Sequence, residues 1–413
     1  FLESGALLVV AAFVLVTVAL DMLAFGLIMP VMPTLIQELT GDPPESATLW
    51  LGALAATYAV MNFLFGPVLG SLSDRFGRRP VLLASVATLA VDFLILGFSH
   101  TIWLLFLGRA LSGISGATWS TANAYIADVT DPKDRGRAFG MTGAAFGFGF
   151  VFGPVLGGFL GELGPRAPFY VAAGLAALNF LYGYFVLPES LQAENRRPFD
   201  LRRANPLGAA RHFSKLPQVK WFLIAAGIFF LSHTVFPSTW AVYSEIRYHW
   251  SPREIGFSLG AVGITAAIVQ AGLMGHILKR IGPVNTALLG LGVNCASMLA
   301  YAAAIQPWMV FAIIPLGALG GVAGPAVNSI MSGVTPANAQ GELQGASSSL
   351  NSLAMIAGPL AMNATLFAFT HAGAPVHFAG AAFVLAAMLT ALSILPFLRG
   401  VQANRAQLPA SPA

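Results

Sequence analysis

Long apolar runs separated by short polar ones organise this chain from end to end. Twelve runs stand out, at about 6–29, 49–71, 81–98, 102–126, 138–160, 168–187, 221–243, 255–278, 284–304, 308–331, 343–369 and 377–398. An α-helix needs about 20 apolar residues to cross a bilayer, and the runs are of that order. They are continuously apolar and do not alternate, which predicts membrane helices and excludes barrel strands.

The longest polar interruption, at 188–220, divides six runs from six. Landmarks in the two halves recur at one offset of 205 residues: Gly70 and Gly275, Gly116 and Gly321, Gly136 and Gly341, Gly140 and Gly345, Gly153-Pro154 and Gly358-Pro359. A duplicated six-plus-six arrangement follows. The expected fold class is all-α integral membrane, with twelve transmembrane helices in two six-helix pseudo-symmetric bundles. The expected domains are a bundle over 1–187, a cytoplasmic linker over 188–220, a bundle over 221–400 and a tail over 401–413. Parallel repeats of this kind place a substrate site near the bilayer midplane. Within the linker, Asn205-Pro206 reads as a helix start, and Leu207, Ala210 and Phe213 follow at spacings of three. Either a basic amphipathic helix on the membrane surface or a solvated tether fits that pattern.

Charge sharpens the topology. Only 9% of residues are charged and the formal net charge is +4. With both termini cytoplasmic, 17 of the 21 Lys and Arg fall on the cytoplasmic side. The outer face keeps only Arg166, Arg247 and Arg253. This is the positive-inside pattern, so the excess charge sets orientation and no nucleic-acid partner is expected. The lone Cys295 excludes a disulfide within the chain and a cysteine-based metal site. No phosphate loop, nucleophile elbow or metal cluster is present, so no enzyme activity, metal or cofactor is expected. The N-terminus lacks the basic region and cleavage site of a signal peptide.

Asp21, Asp92 and Arg109 lie well inside apolar runs. A charge there costs about 2.5–3.5 kcal/mol, so a partner or an aqueous cavity is expected. At about 1.5 Å rise per residue all three fall in one layer of the outer half. An arginine set between two acids neutralises them cheaply, and one carboxylate is then free to take up and release a proton. A fixed structural ion pair is the alternative. Asp21 is the expected proton carrier, Arg109 its tuning group and Asp92 a secondary member.

Glycine shapes the fifth run. Gly149, Gly153 and Gly157, with Pro154 between them, allow close helix approach and a bend. A cavity for amphipathic compounds is mostly apolar with a few polar groups. Candidates for its walls are Phe25, Tyr58, Asn62, Phe229, His233, Trp240, Gln270, Asn294, Asn328 and Asn351.

Several stretches resemble one known family. Four charges crowd the loop Gly70-Ser71-Leu72-Ser73-Asp74-Arg75-Phe76-Gly77-Arg78-Arg79-Pro80, with a degraded copy at Gly275 to Gly282. Leu107-Gly108-Arg109-Ala110-Leu111-Ser112-Gly113 and Phe152-Gly153-Pro154-Val155-Leu156-Gly157-Gly158 follow. Together these resemble the major facilitator superfamily, in its drug–proton antiporter branch, and the bacterial tetracycline efflux proteins within it. The resemblance implies export of a small amphipathic compound against an inward proton, through a multi-pass protein of the bacterial inner membrane, expected to be monomeric. It implies that Asp21, Asp92 and Arg109 serve coupling. Asp74, Arg75 and Arg78 match its gating loop, and Gly153 and Pro154 its fifth-helix motif. Asn62 falls where those proteins carry a Gln facing the drug. They also place a His in the eighth helix and an Asp in the ninth, where this chain has Ala266 and Asn294. The second half therefore lacks those titrating groups, and His233 is the nearest substitute. A metabolite transporter, or a membrane receptor on the same fold, remains the alternative.

Overall fold

The structure, a computed structural model, describes residues 4–116, 118–130, 135–196, 216–336 and 339–405. The amphipathic stretch expected in the linker lies outside these residues. Helices cover all twelve apolar runs. In chain order they are α1 (Ser4–Ile28), α2 (Met32–Thr40), α3 (Pro44–Phe76), α4 (Arg78–Gly97), α5 (Ile102–Ile114), α6 (Thr118–Val129), α7 (Arg135–Gly161) and α8 (Ala167–Val186). In the second half come α9 (Lys220–His233), α10 (Val235–Tyr248), α11 (Pro252–Ile268), a π segment (Val269–Leu273) and α12 (Met274–Ala303). The chain ends with α13 (Pro307–Gly320), α14 (Ala323–Val334), α15 (Gln340–Ala368) and α16 (Ala381–Ala403). Among the described residues, nine helical stretches are long and apolar enough to cross a membrane, or ten with the α1–α2 pair, bent by 46°.

The breaks obey the repeat. The first run breaks between Ile28 and Met32, and the seventh at Thr234. The fourth run breaks at Ser115-Gly116, and the tenth at Gly321-Val322. Each pair is separated by the same 205 residues that relate the sequence landmarks. Gly282, with φ +76°, turns the chain inside α12, where the eighth run gives way to the ninth.

Two compact units form. The first gathers Phe1–Gly41, Thr57–Pro206 and Ser251–Gly260; the second gathers Asp42–Ala56, Leu207–Trp250 and Ala261–Ala413. Each contains a short arm from the other half of the sequence. In the first unit α7 lies directly on α1. A methyl group added at Gly153 would sit 2.7 Å from the Leu23 carbonyl oxygen and 2.8 Å from Gly26 Cα. Backbone meets backbone there because no side chain intervenes. The second unit has an aromatic core in which Trp240, Tyr243, Tyr301 and Phe383 meet at 4.8–6.0 Å.

Candidate functional site

The buried charges of the first unit divide into an ion pair and a separate acid. Arg109 Nη2 donates to Asp92 Oδ2 at 2.7 Å, and Asp92 is fully buried. Asp21, 8% exposed, accepts instead from Asn179 Nδ2 at 3.5 Å. The expected arrangement of an arginine between two acids is thus corrected: Arg109 is engaged by Asp92, and Asp21 forms no ion pair among the described residues. Helix rotation is the reason. Asp92 on α4 and Arg109 on α5 face each other, whereas Asp21 on α1 faces α8. Thr17 lies one helical turn from Asp21, on the same face. Its Oγ1 donates to Asn179 Oδ1 at 3.1 Å, which fixes the Asn179 amide with its N–H groups toward Asp21.

Asp21 and Arg109 nevertheless share one cavity of about 120 Å³. Phe25 and Tyr58 line it, as do the hydroxyl side chains Ser85, Ser112 and Ser115. That volume suits a few waters and falls below the roughly 300–1,000 Å³ of drug-sized pockets. Asn62 lies beside it: its Oδ1 is 3.0 Å from where a side chain on Gly116 would begin.

The second unit has a larger cavity, about 310 Å³, with Phe229, Phe230, Leu291, Pro325, Asn328 and Met331 on its walls. His233 stands one turn from Phe229, its ring between Phe229 and Phe236, with no hydrogen bond at Nδ1. Trp240 and Asn294, expected on a cavity wall, are instead packed inside this unit at 2% and 1% exposure. Trp240 joins the aromatic core, and Asn294 Oδ1 accepts from Thr390 at 3.2 Å. On both helices the buried face itself carries polar residues, Ser238, Thr239 and Ser244 on α10 and Thr286 and Ser297 on α12, so polarity does not mark the side that faces a cavity. Gln270 sits on the π segment and donates from Nε2 to the Gly321 carbonyl at 3.2 Å, across the break between α13 and α14. Asn351 is exposed on α15.

The charged loop between α3 and α4 forms a clamp. Arg78 Nη1 donates to Asp74 at 2.6 Å and to Ser73 at 3.1 Å, while its Nε reaches Asp128 at 3.1 Å. Gly77 has φ +107°, a conformation that favours glycine, and the Glu189 carboxylate occupies the space a side chain would need. Glu189 accepts from the Arg78 backbone N–H at 2.8 Å and from that of Arg79 at 3.3 Å. These are first-turn groups of α4 that lack a partner in their own helix, so a carboxylate 111 residues away caps it. Arg75 is not part of the clamp; its guanidinium lies 5.0 Å from the Phe76 ring. The degraded copy has no acid in this role. His276 Nδ1 meets the Gly272 carbonyl at 3.0 Å, and Lys279 replaces Asp74 at the 205-residue offset.

A family model for the major facilitator superfamily matches residues 14–359. The chain belongs to the major facilitator superfamily. Within it, the chain is 40% identical over 386 residues to the class C tetracycline resistance protein of Escherichia coli, covering 94% of this chain and 95% of that one. It is also 40% identical over 396 residues to the class G tetracycline resistance protein of Vibrio anguillarum, covering 94% and 97%. Solved major facilitator structures share the fold. The human organic anion transporter MFSD10 (TETRAN) superposes with a TM-score of 0.70 at 23% identity, over 95% of this chain and 99% of that one. The nucleoside transporter NupG (D323A mutant) superposes with a TM-score of 0.79 at 12% identity, over the same shares of each chain. The protein is therefore a multi-pass membrane transporter with an all-α major facilitator fold, and not an enzyme.

Sequence reasoning missed three residues of the site. Asn179 is a lone amide in an apolar run, and an uncharged group does not stand out there. Asp128 and Glu189 lie at run ends, where acids are ordinary. Only their contacts across 50 and 111 residues make them part of the clamp.

Proposed function

We propose that this protein exports an amphipathic, drug-like compound in exchange for protons, with Asp21 as the proton carrier. The observation that carries the reading is the separation of Asp21 from the Arg109–Asp92 pair inside one small cavity. An acid already locked to an arginine gains little by binding a proton. An acid held only by an amide at 3.5 Å changes its state at lower cost. Arg109 and Asp92 then maintain the polarity of the cavity, and Tyr58 and the serine hydroxyls support water beside Asp21. Identity of 33–40% to tetracycline resistance proteins supports both the proton coupling and the class of cargo.

The cargo requires more room than this cavity offers. Its apolar part fits the second-unit cavity, where Phe229 and Phe230 supply aromatic surface and Asn328 a polar group. The Arg78 clamp is the gate. Its ion pairs are only partly buried, and pairs near the surface are worth about 0–1 kcal/mol each, so a transporter can open and remake them in every cycle. We further infer bundles over 1–187 and 221–400, both termini and the intervening linker on the cytoplasmic side of the bacterial inner membrane, and a monomeric unit.

Drug-susceptibility profiling of efflux-deficient bacteria expressing the chain tests this reading. Raised resistance to at least one amphipathic compound, removed by a protonophore in a parallel accumulation assay, is expected. No change across a broad panel that includes tetracycline contradicts it.

A further inference from the structure

We propose that an anionic phospholipid binds where α9 begins and α16 ends, its phosphate held by Lys220 and Arg399 on either side of Trp221. Both cations lie against this one indole. Lys220 Nζ is 5.7 Å from the ring centroid and Arg399 Cζ is 5.2 Å away. Both side chains are exposed, and neither forms an ion pair among the described residues. Two unneutralised cations on a tryptophan, at the end of membrane helices, match a lipid headgroup in charge and in depth.

The site is built rather than incidental. Phe222 and Phe397 pack edge to face at 5.6 Å and lock α9 to α16 one step inside the cations. A methyl group on Gly400 would lie 2.8 Å from the Phe222 ring, so only glycine lets α16 approach closely enough to bring Arg399 over Trp221. Asn404 Nδ2 donates to the Gln218 carbonyl at 2.8 Å and ties the end of α16 to the segment before α9.

The apolar surface leading to the cations selects a lipid over a soluble anion. Met388, Leu392, Leu395 and Leu398 follow at three- to four-residue spacing along α16, with exposures of 39–63%. Such residues share one helix face. An acyl chain lying along them delivers its phosphate to Arg399. A soluble phosphate gains nothing from that stripe.

Native mass spectrometry of the full chain in detergent tests the proposal. Phosphatidylglycerol and phosphatidylcholine with identical acyl chains are titrated separately. Retention of phosphatidylglycerol in preference to phosphatidylcholine is expected. K220Q/R399Q should weaken phosphatidylglycerol binding about 30-fold, at roughly fivefold per basic residue, and weaken phosphatidylcholine binding far less, because its choline cation already offsets the phosphate charge. K220R/R399K should retain it. Thermal melting in the same detergent verifies that each variant is folded, and R399Q alone serves if the double variant is not. Equal retention of the two lipids overturns the proposal, as does wild-type binding by K220Q/R399Q. Displacement of the lipid by glycerol phosphate at similar concentration shows that the acyl stripe is idle, and also overturns it.

Discussion

The cavities of the two units share two wall positions at the 205-residue offset, Asp21 with Ala226 and Phe25 with Phe230, and differ in chemistry. In the first unit, Asp21 and Arg109 face the space and Asp92 backs it. Adding the 205-residue offset converts these three positions to Ala226, Ile314 and Ser297. Ala226 indeed lines the second-unit cavity, which is larger and mostly apolar. The first unit carries buried charge at its cavity, and the second lines its cavity mainly with apolar side chains. The loops diverge in the same direction. The first has an Arg78 clamp and a Glu189 cap; the second has Lys279 and Arg280 without matching acids. A duplicated fold need not duplicate its chemistry, because backbone packing is satisfied by small and apolar residues in either half.

The largest expected effect comes from breaking the charged side of this comparison. Arg109→Gln leaves Asp92 buried and unpaired, at about 3–5 kcal/mol of stability. Thermal melting in detergent should show a large loss, and Asp92→Asn in the same background should restore much of it. Absence of rescue would mean that Arg109 matters through other contacts.

The reverse experiment puts a charge into the apolar side. Ala226→Asp should cost about 2.5–3.5 kcal/mol, because the counterpart of Asn179 at the 205-residue offset is Val384, which offers no amide to hold the new acid. Lower yield of folded protein and reduced resistance are expected. Unchanged melting would show that the second cavity is as polar as the first, and the contrast would fail.

A smaller effect should follow Asn179→Ala. It removes the one amide held against Asp21 and frees Thr17, for about 1–3 kcal/mol. Gradient-driven transport should slow, with a displaced pH profile, while exchange of substrate across the membrane persists. An unchanged profile would leave Asn179 with a packing role only.

Least costly to stability is Asp74→Asn, which weakens a half-exposed ion pair by up to about 1 kcal/mol. Turnover should fall while equilibrium binding of substrate holds, since the clamp lies outside both cavities. Lost binding with unchanged melting would move Asp74 from the gate to the site.

How far the sequence foretold this depends on what makes a residue conspicuous. Asp21, Asp92 and Arg109 were legible because charge is expensive in apolar runs. Their pairing was not, because it depends on rotation about each helix axis, and a uniformly apolar helix carries no mark of its rotation. Trp240 and Asn294 were expected on a cavity wall but are packed inward, because the buried faces of their helices carry polar residues of their own. The repeat was legible to the residue: Thr234 and Gly321 break their helices where the offset from the first half requires. The π segment at Val269–Leu273 was hidden, since one added residue per turn alters geometry without altering hydropathy.

The proton carrier is the point on which the contrast between the units turns. Asp21→Asn, reconstituted in vesicles and compared with wild type over a range of pH, addresses it directly, with a compound from the resistance panel as cargo. Gradient-driven accumulation should fall to the level of empty vesicles at every pH, while counterflow of the same compound survives, because a neutral side chain still permits the helices to rearrange. Full gradient-driven accumulation by Asp21→Asn, with its pH dependence intact, would contradict the assignment and direct attention to His233.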